Sequence, residues 1–271
     1  MIKRILAIHD LSGFGSSSLM AVIPIMHRYG IQTSVLPTAL LSTNTCYPDF
    51  RYLDTTSFIS DILVHYKELA RPFNAIYSGF LGSPAQVDIL LKELDKLSTA
   101  DTLAMIDPVM ADDGKLYKCY DESMIHALRR LISRADIISP NFTEACFLAG
   151  WDVKATYTDT ELEKLCKLLQ EMGPQNVIIT SVPTDSPDNS RVLYYHPEKG
   201  LKSYNSEYIP TFYPGTGDVF SSLILAQNLN GVSLEAAISS AISFIYKAIS
   251  YSIQHGEDAR EGVLLEQLLW Q

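Results

Sequence analysis

Short apolar runs rich in β-branched residues alternate along this chain with longer segments of helical period, and this alternation most restricts the fold. The runs are "RILAIH" (4–9), "QTSVLP" (32–37), "NAIYSG" (74–79), "TLAMID" (102–107), "DIISP" (136–140) and "NVIITSV" (176–182). Strands and helices in this order form right-handed crossovers and a parallel sheet. Because the runs are almost continuously apolar, the strands should be buried on both faces. We therefore expect an α/β fold with a central, mostly parallel β-sheet flanked by helices on both faces.

Capping and turn residues mark several element boundaries. Ser83 followed by Pro84 is typical of a helix start, and Thr158 with Glu161 has the spacing of a capping box. Towards the end of the chain, "RVLYYH" and "GLKSYNSEYI" predict an antiparallel hairpin, followed by long helices over about 218–230 and 233–254. No internal repeat or long linker divides the chain, so we expect a single domain over residues 1–271.

Composition excludes some classes of partner. The net charge is −10 and the Lys and Arg residues are scattered, which argues against nucleic acid. The four cysteines show neither a C-x-x-C pair nor zinc-type spacing, as expected in a reducing compartment. No uninterrupted apolar run approaches the roughly 18 residues of a membrane span. We therefore expect a cytoplasmic protein with no membrane partner.

Polar residues follow most of the predicted strands. Because ligands of open α/β sheets bind outside the carboxyl ends of the strands, these side chains should share one rim. They are Asp10, Ser12, Ser42 to Thr45, Ser78, Gly79, Asp107, Asp112, Asn141, Glu144, Thr180 and Ser181.

The stretch "PTFYPGTGDVFSS" (210–222) places two glycines and an aspartate directly before an apolar run. If a helix begins here, its free N–H groups point outward and the glycines let an anion approach them closely. Asp218 would lie in the first turn, where it could accept a proton from a substrate hydroxyl. The segment therefore fits a phosphotransferase, and the alternative is an ordinary helix start without chemistry.

Other phosphate-binding motifs are absent or incomplete. The chain has no G-x-x-x-x-G-K-[ST], which excludes a P-loop. "GFGSSS" (13–18) lacks the third glycine of a dinucleotide fingerprint, and no acidic residue follows at the usual distance. An NAD-type function is therefore not expected.

Two further stretches place acidic residues near strand ends. "IDPVMADDGKLY" (106–117) contains Asp107, Asp112 and Asp113, whose oxygens suit Mg²⁺ bound with phosphate. "SPNFTEACFLAG" (139–150) places Asn141 and Glu144 three residues apart at a predicted helix start. Each has a structural alternative, a solvated acidic turn for the first and a helix cap for the second.

Together and in this order, seven motifs resemble the ribokinase-like superfamily and, within it, the pyridoxal (vitamin B6) kinases. The motifs are "ILAIHDLSGFG", "LSTNTCY", "YSGFLGS", "DPVMADDGKLY", "SPNFTEA", "VIITS" and "GTGDVFS". The last is shared by the superfamily at large, whereas "SGFLGS" and the "ST-x-T" stretch are more specific to the B6 branch. The resemblance covers nearly the whole chain.

The resemblance implies ATP-dependent phosphorylation of the 5′-hydroxymethyl group of pyridoxal, pyridoxine or pyridoxamine. It also implies Mg²⁺, often a monovalent cation such as K⁺, and usually a homodimer. By position, it implies Asp218 as the catalytic base and Gly215, Thr216 and Gly217 as the anion hole. It implies nucleotide and phosphate contacts at Asp107, Asp112, Tyr117, Ser139, Asn141, Thr180 and Ser181, a metal site at Asp112 and Glu144, and substrate contacts at Asp10, Ser12, Asn44, Thr45 and Phe80.

Three substrate-side positions depart from the family pattern. Relatives commonly carry Ser at the position of Asp10, His at that of Asn44 and Tyr at that of Phe80. A carboxylate at position 10 would favour pyridoxamine or an aminopyrimidine over pyridoxal, unless backbone N–H groups or Ser12 bind it instead.

Two other functions remain open at this point. Hydroxymethylpyrimidine kinases also carry an aspartate at the position of Asp10, so that activity is the main alternative. A catalytically silent relative that senses or carries a ligand is the other, although such a protein would be expected to lose Asp218 or the adjacent glycines.

Overall fold

The computed structural model describes residues 2–256 and 258–270 of the chain. Its strands are β1 Arg4–Ser12, β2 Gln32–Leu41, β3 Tyr52–Asp54, β4 Ala75–Ser78, β5 Leu103–Ile106, β6 Ala111–Asp112, β7 Lys115–Leu116, β8 Ile137–Ile138, β9 Asn176–Ile179, β10 Asn189–His196 and β11 Gly200–Glu207. Its helices are α1 Leu19–Arg28, α2 Thr56–Glu68, α3 Pro84–Glu93, α4 Glu122–Ile132, α5 Phe142–Ala149, α6 Asp159–Glu171, α7 Thr216–Leu229 and α8 Leu234–His255. All six predicted runs contain a strand, and the predicted hairpin is β10–β11.

The described residues form one nine-stranded sheet in the order β11-β10-β9-β8-β5-β4-β1-β2-β3, and a separate two-stranded hairpin, β6–β7. Strands β1, β2, β4, β5, β8 and β9 are parallel to their neighbours in this group. Strands β10, β11 and β3 add antiparallel edges. The expected mostly parallel sheet is confirmed, and the carboxyl ends of its parallel strands lie along one edge.

Helices cover both faces of the sheet. On one face, the core contains Leu6 and Ile8 of β1 together with residues of α2 to α6. On the other face, Ile5 and Ala7 pack with residues of α1, α7 and α8. Successive strand residues point to opposite faces, so the same apolar run supplies both cores. The side chain of residue 9 therefore points to the face that carries α7.

Helix α8 is long and apolar enough to cross a membrane, judged by length and composition alone. The sequence expectation concerned uninterrupted apolar runs, and serines interrupt the apolar residues of this helix. Its buried residues Ala237, Ile238, Ala241 and Ala248 belong to the core shared with α1 and α7. We therefore assign α8 to the helical layer on that face of the sheet.

Candidate active site

The first turn of α7 begins directly after a turn that only glycine can make. Gly215 has φ +82° and is the N-cap residue of α7, and no described side chain caps this helix end. A Cβ at Gly215 would overlap the carbonyl oxygen of Ser16 and crowd Ser17, whereas a Cβ at Gly217 would meet open space. No described side chain therefore occupies the N–H groups of this turn, and the binding of an anion there stays a prediction.

Asp218 lies in this first turn and is held from the segment between β1 and α1. Its Oδ2 accepts a hydrogen bond of 2.8 Å from the backbone N–H of Ser18. Its Oδ1 lies 3.6 Å from Nδ1 of His9, and the carboxylate is 14 % exposed. The carboxylate is therefore oriented by the protein while part of it stays open to a substrate.

Asp10 is bound by serines on both oxygens. Oδ2 accepts from the hydroxyl of Ser12 at 2.9 Å and Oδ1 from the hydroxyl of Ser18 at 2.5 Å. Burial raises the pKa of Asp10, and the nearby Asp218 charge adds to the effect, while the Ser18 hydrogen bond opposes it. This geometry supports the alternative in which Asp10 is bound within the protein. Ser18, at φ +50°, connects Asp10 to Asp218.

Asp107 lies at the end of β5 in a buried polar cluster. The Ser221 hydroxyl lies 3.4 Å from Asp107 Oδ2 and donates to the Ser139 hydroxyl at 3.0 Å. Burial raises the pKa of Asp107 well above its ordinary value, and the carboxyls of Glu144 and Asp218 raise it further. Because Ser221 lies one turn after Asp218 on α7, the helix brings the two aspartates into one site.

Asn141 and Glu144 form a complete capping box at the start of α5. Asn141 Oδ1 accepts from the Glu144 N–H at 2.9 Å, and Glu144 Oε2 accepts from the Asn141 N–H at 2.8 Å. Glu144 Oε1 accepts from the Met110 N–H at 3.0 Å, which ties the loop after β5 to this helix. Burial raises the pKa of Glu144 to about 8, against the effect of these backbone hydrogen bonds. The helix-cap interpretation is confirmed.

The β6–β7 hairpin carries Asp112 and packs on α5. The Asn141 side chain donates to the Ala111 carbonyl at 2.7 Å, and the Gly114 N–H donates to the Thr143 hydroxyl at 3.0 Å. Asp112 Oδ1 accepts from the neighbouring Asp113 N–H at 2.9 Å. Asp112 is exposed, and partial desolvation raises its pKa. Within residues 2–256 and 258–270, no three His, Cys, Asp or Glu side chains form a ready metal site.

Other residues on the nucleotide side of the prediction lie along the same rim. Thr180 follows β9 and pairs with Asn141 through an isolated parallel bridge, with its N–H donating to the Pro140 carbonyl at 3.0 Å. Ser181 follows in a left-handed conformation with φ +55°. Tyr117 comes directly after β7 and is 38 % exposed.

The residues predicted to contact the substrate lie on separate segments of the chain. Asn44 is buried, and its amide donates to the Arg260 carbonyl at 2.7 Å, linking two loops. Thr45 is exposed. The ring of Phe80 lies 5.8 Å from that of Tyr120. Ser12 is bound to Asp10, as described above.

Sequence reasoning missed His9, Ser18 and Ser221. His9 lies inside an apolar strand and looks like a core residue, although a histidine in "RILAIHD" is itself an unusual buried polar group. Ser18 and Ser221 contact aspartates that are distant in sequence, and local spacing gives no sign of such contacts.

The fold and the site define the class of protein. A mostly parallel sheet covered on both faces, with a glycine turn and an aspartate opening the helix next to β1, is a ribokinase-like phosphotransferase architecture. The chain belongs to the phosphomethylpyrimidine kinase family, whose sequence profile matches residues 15–262.

Individual relatives span nearly all of the chain. It is 28 % identical to a pyridoxal kinase of Dictyostelium discoideum over 92 % of this chain and 86 % of the relative. A putative phosphomethylpyrimidine kinase of Bacteroides thetaiotaomicron, solved with pyridoxal, is 42 % identical with a TM-score of 0.96, covering 100 % of this chain and 95 % of that one. A pyridoxal kinase of Lactobacillus plantarum is 28 % identical with a TM-score of 0.91, covering 100 % and 96 %.

Proposed function

We propose that this protein is an ATP-dependent kinase that phosphorylates the 5′-hydroxymethyl group of a B6 vitamer: pyridoxal, pyridoxine or pyridoxamine. The observation that carries the proposal is Asp218 in the first turn of α7, beside the open N–H groups that follow Gly215. Asp218 accepts the proton of the acceptor hydroxyl, while the N–H groups of Gly215, Thr216 and Gly217 stabilise charge on the transferring phosphoryl group.

A B6 vitamer is favoured as the acceptor by relatives that carry this activity. The Dictyostelium and Lactobacillus proteins are pyridoxal kinases, and the Bacteroides protein was solved with pyridoxal. The second candidate is hydroxymethylpyrimidine kinase. The matching family is named for the phosphorylated form of that pyrimidine, which supports a pyrimidine as the alternative acceptor. Both acceptors present a hydroxymethyl group on a small aromatic ring, so the same base and anion hole would serve either one.

The nucleotide lies, in this proposal, along the rim between α5, β9 and α7. Its contacts come from Asp107, Asp112, Tyr117, Ser139, Asn141, Thr180 and Ser181. Support comes from the hydrogen bonds that join this rim, including the Asn141–Thr180 bridge and the Ser139–Ser221 pair. The acceptor lies nearer β1, among Asp10, Ser12, Asn44, Thr45 and Phe80.

The carboxylates fit Mg²⁺ that is bound mainly by nucleotide phosphates. Mg²⁺ usually takes one or two protein carboxylates and completes its shell with phosphate oxygens and water. Asp112 has one oxygen bound by a backbone N–H, whereas Glu144 has backbone N–H partners on both oxygens. Asp112 would therefore contact the cation, and Glu144 would act through bound water. Mg²⁺ would neutralise charge on the phosphates, and K⁺ could occupy the same acidic region.

We also propose a homodimeric, cytoplasmic protein that acts as one domain over residues 1–271. Exposed apolar side chains on β3 and α2, including Leu53 and Phe58 at 59 % exposure each, would suit a contact between copies. The cysteines, all in the described part of the chain, are unpaired, in keeping with a reducing compartment. A single main sheet spans the residues from β1 to β11.

The test is an ADP-release assay of the purified protein with ATP and Mg²⁺ against the three vitamers and hydroxymethylpyrimidine. The product is identified by its mass and by loss of the free hydroxymethyl signal. We expect ADP release with at least one vitamer, with the highest kcat/KM among the vitamers. Highest kcat/KM with the pyrimidine would favour the second candidate, and ligand binding without ADP release would favour a silent relative.

A further inference from the structure

His9 is a buried histidine whose ring nitrogens both lack a hydrogen-bond partner among the described residues. It lies near the end of β1, has no exposed surface and points to the face that carries α7. Leaving polar atoms unpaired inside a protein is costly, so such groups usually have a function or a partner that joins them later.

The nearest charged group to this ring is the proposed base. His9 Nδ1 lies 3.6 Å from Asp218 Oδ1, which is longer than a hydrogen bond. Catalytic hydrogen bonds are often long in the free enzyme and shorten when the substrate binds. The other oxygen, Oδ2, already accepts from the Ser18 N–H at 2.8 Å. A hydrogen bond from His9 would therefore fix both oxygens of Asp218.

The surroundings hold the imidazole in place for this role. Its ring packs edge-on against Tyr77, with centroids 4.4 Å apart and planes at 69°. On another side it lies against Gly79, where a Cβ would overlap Nδ1. The glycine after β4 in "YSGFLGS" thus leaves room for the nitrogen that faces Asp218.

We propose that His9 is a positioning residue for the phosphoryl-transfer base. With the acceptor bound, the Nδ1–H of His9 donates to Asp218 Oδ1, and the Ser18 N–H continues to donate to Oδ2. The plane of the carboxylate is then fixed, and its remaining lone pairs point towards the acceptor hydroxyl. The inference rests on the proposed function, because it requires Asp218 to act as the base.

Substitutions at position 9 separate the hydrogen bond from the packing. His9→Phe keeps a ring against Tyr77 and removes the donor, whereas His9→Gln keeps an N–H donor. We expect His9→Phe to lower kcat about tenfold or more with KM for ATP and the vitamer nearly unchanged, and His9→Gln to stay within about threefold of wild type. Ile5→Val, buried on the same strand and face, is the control for lost packing. His9→Leu gives the same comparison should His9→Phe not fold.

A double mutant tests whether His9 acts through Asp218. In an Asp218→Asn background, His9→Phe should cause little further loss of kcat, because the group that it positions is already gone. The inference is overturned if the Phe variant keeps the wild-type kcat, or if the Phe and Gln variants lose equal activity. It is also overturned if Ile5→Val causes a similar loss, or if the losses in the double mutant are additive. None of these outcomes affects the proposed function. A wild-type protein that phosphorylates none of the four acceptors refutes the proposed function, and this inference with it.

Discussion

Ser18 connects two carboxylates of the candidate site. Its hydroxyl donates to Asp10 and its backbone N–H donates to Asp218, a residue 200 positions away in sequence. Its φ of +50° is uncommon for serine and costs free energy. Asp10 therefore stabilises the conformation in which Ser18 can hold the proposed base.

Replacing Asp10 with serine tests whether Asp10 holds Ser18 or contacts the substrate directly. A hydrogen bond to a charged group contributes about 1.5–3 kcal/mol, so Asp10→Ser should release Ser18 and lower kcat several-fold for every acceptor. We expect the ratio of kcat/KM for pyridoxamine to that for pyridoxal to stay constant. The measurement is steady-state kinetics of both proteins on both vitamers. A change of about tenfold in that ratio would instead indicate that Asp10 contacts the substrate directly.

At the scale of elements, the sequence predicted those with a strong local signal. Helix α3 begins at Pro84 after Ser83, and α6 begins after Thr158 with the expected capping box. The edge strand β3 and the β6–β7 hairpin were not predicted, because these short strands lie outside any apolar run. The equally short β8 was predicted because it lies within "DIISP". Glycine and acidic motifs are local, so they supplied the candidate site residues. Contacts such as that of His9 with Asp218 join distant segments and were missed.

The turn before α7 can be tested with two glycine substitutions. Gly215→Ala introduces left-handed strain and a clash with Ser16, whereas Gly231→Ala, at φ +88°, introduces the strain in open space. Left-handed strain alone costs about 1–2 kcal/mol, so Gly231→Ala should lose that much unfolding free energy and keep its kcat. Gly215→Ala should lose more and also lose activity, because the anion-binding turn must shift. Denaturant unfolding measures the loss of stability, and ADP release measures the loss of activity. Equal effects of the two variants would contradict the close approach of Gly215 to Ser16.

The β6–β7 hairpin is proposed to supply the carboxylate nearest to Mg²⁺. Asp112→Asn should raise the Mg²⁺ concentration for half-maximal rate several-fold, since a neutral amide binds Mg²⁺ more weakly. Asp113→Asn, at the next position, which is exposed like Asp112, is the matched control and should leave that concentration unchanged. Rates are measured over a Mg²⁺ series at fixed ATP. Equal responses of the two variants would contradict a metal contact and favour the interpretation of this stretch as a solvated acidic turn.

For the whole molecule, the sheet separates two apolar cores, and the acidic site lies at the edge where its parallel strands end. The alternation of apolar runs with helical segments was enough to predict this architecture, because strands of a parallel sheet that is buried on both faces are almost continuously apolar. The strand order and the packing of α7 next to α1 could not be read from the runs. These features depend on contacts between distant segments, which have no local pattern.

Buried carboxyls at this edge should make stability fall as pH rises. Burial raises the pKa of Asp107 and of Glu144, the latter to about 8. The folded protein then keeps protons that the unfolded chain loses above about pH 4–5. The free energy of unfolding therefore falls as pH rises towards 8, by up to about 1.4 kcal/mol per pH unit for each proton kept. Denaturant unfolding without Mg²⁺ at pH 6 and pH 8 measures the fall, and Asp107→Asn should reduce it. An equal slope in that variant would contradict this prediction.

The central claim is that Asp218 is the base of a B6 vitamer kinase, and Asp218→Asn tests it most directly. Asparagine keeps an oxygen that can accept the Ser18 N–H but cannot accept the proton of the acceptor hydroxyl. ADP release with the preferred vitamer and calorimetric ATP binding are measured on both proteins. The account predicts that kcat falls by about 100-fold or more while the ATP dissociation constant stays within about threefold. Turnover near the wild-type rate in the Asn variant would contradict it.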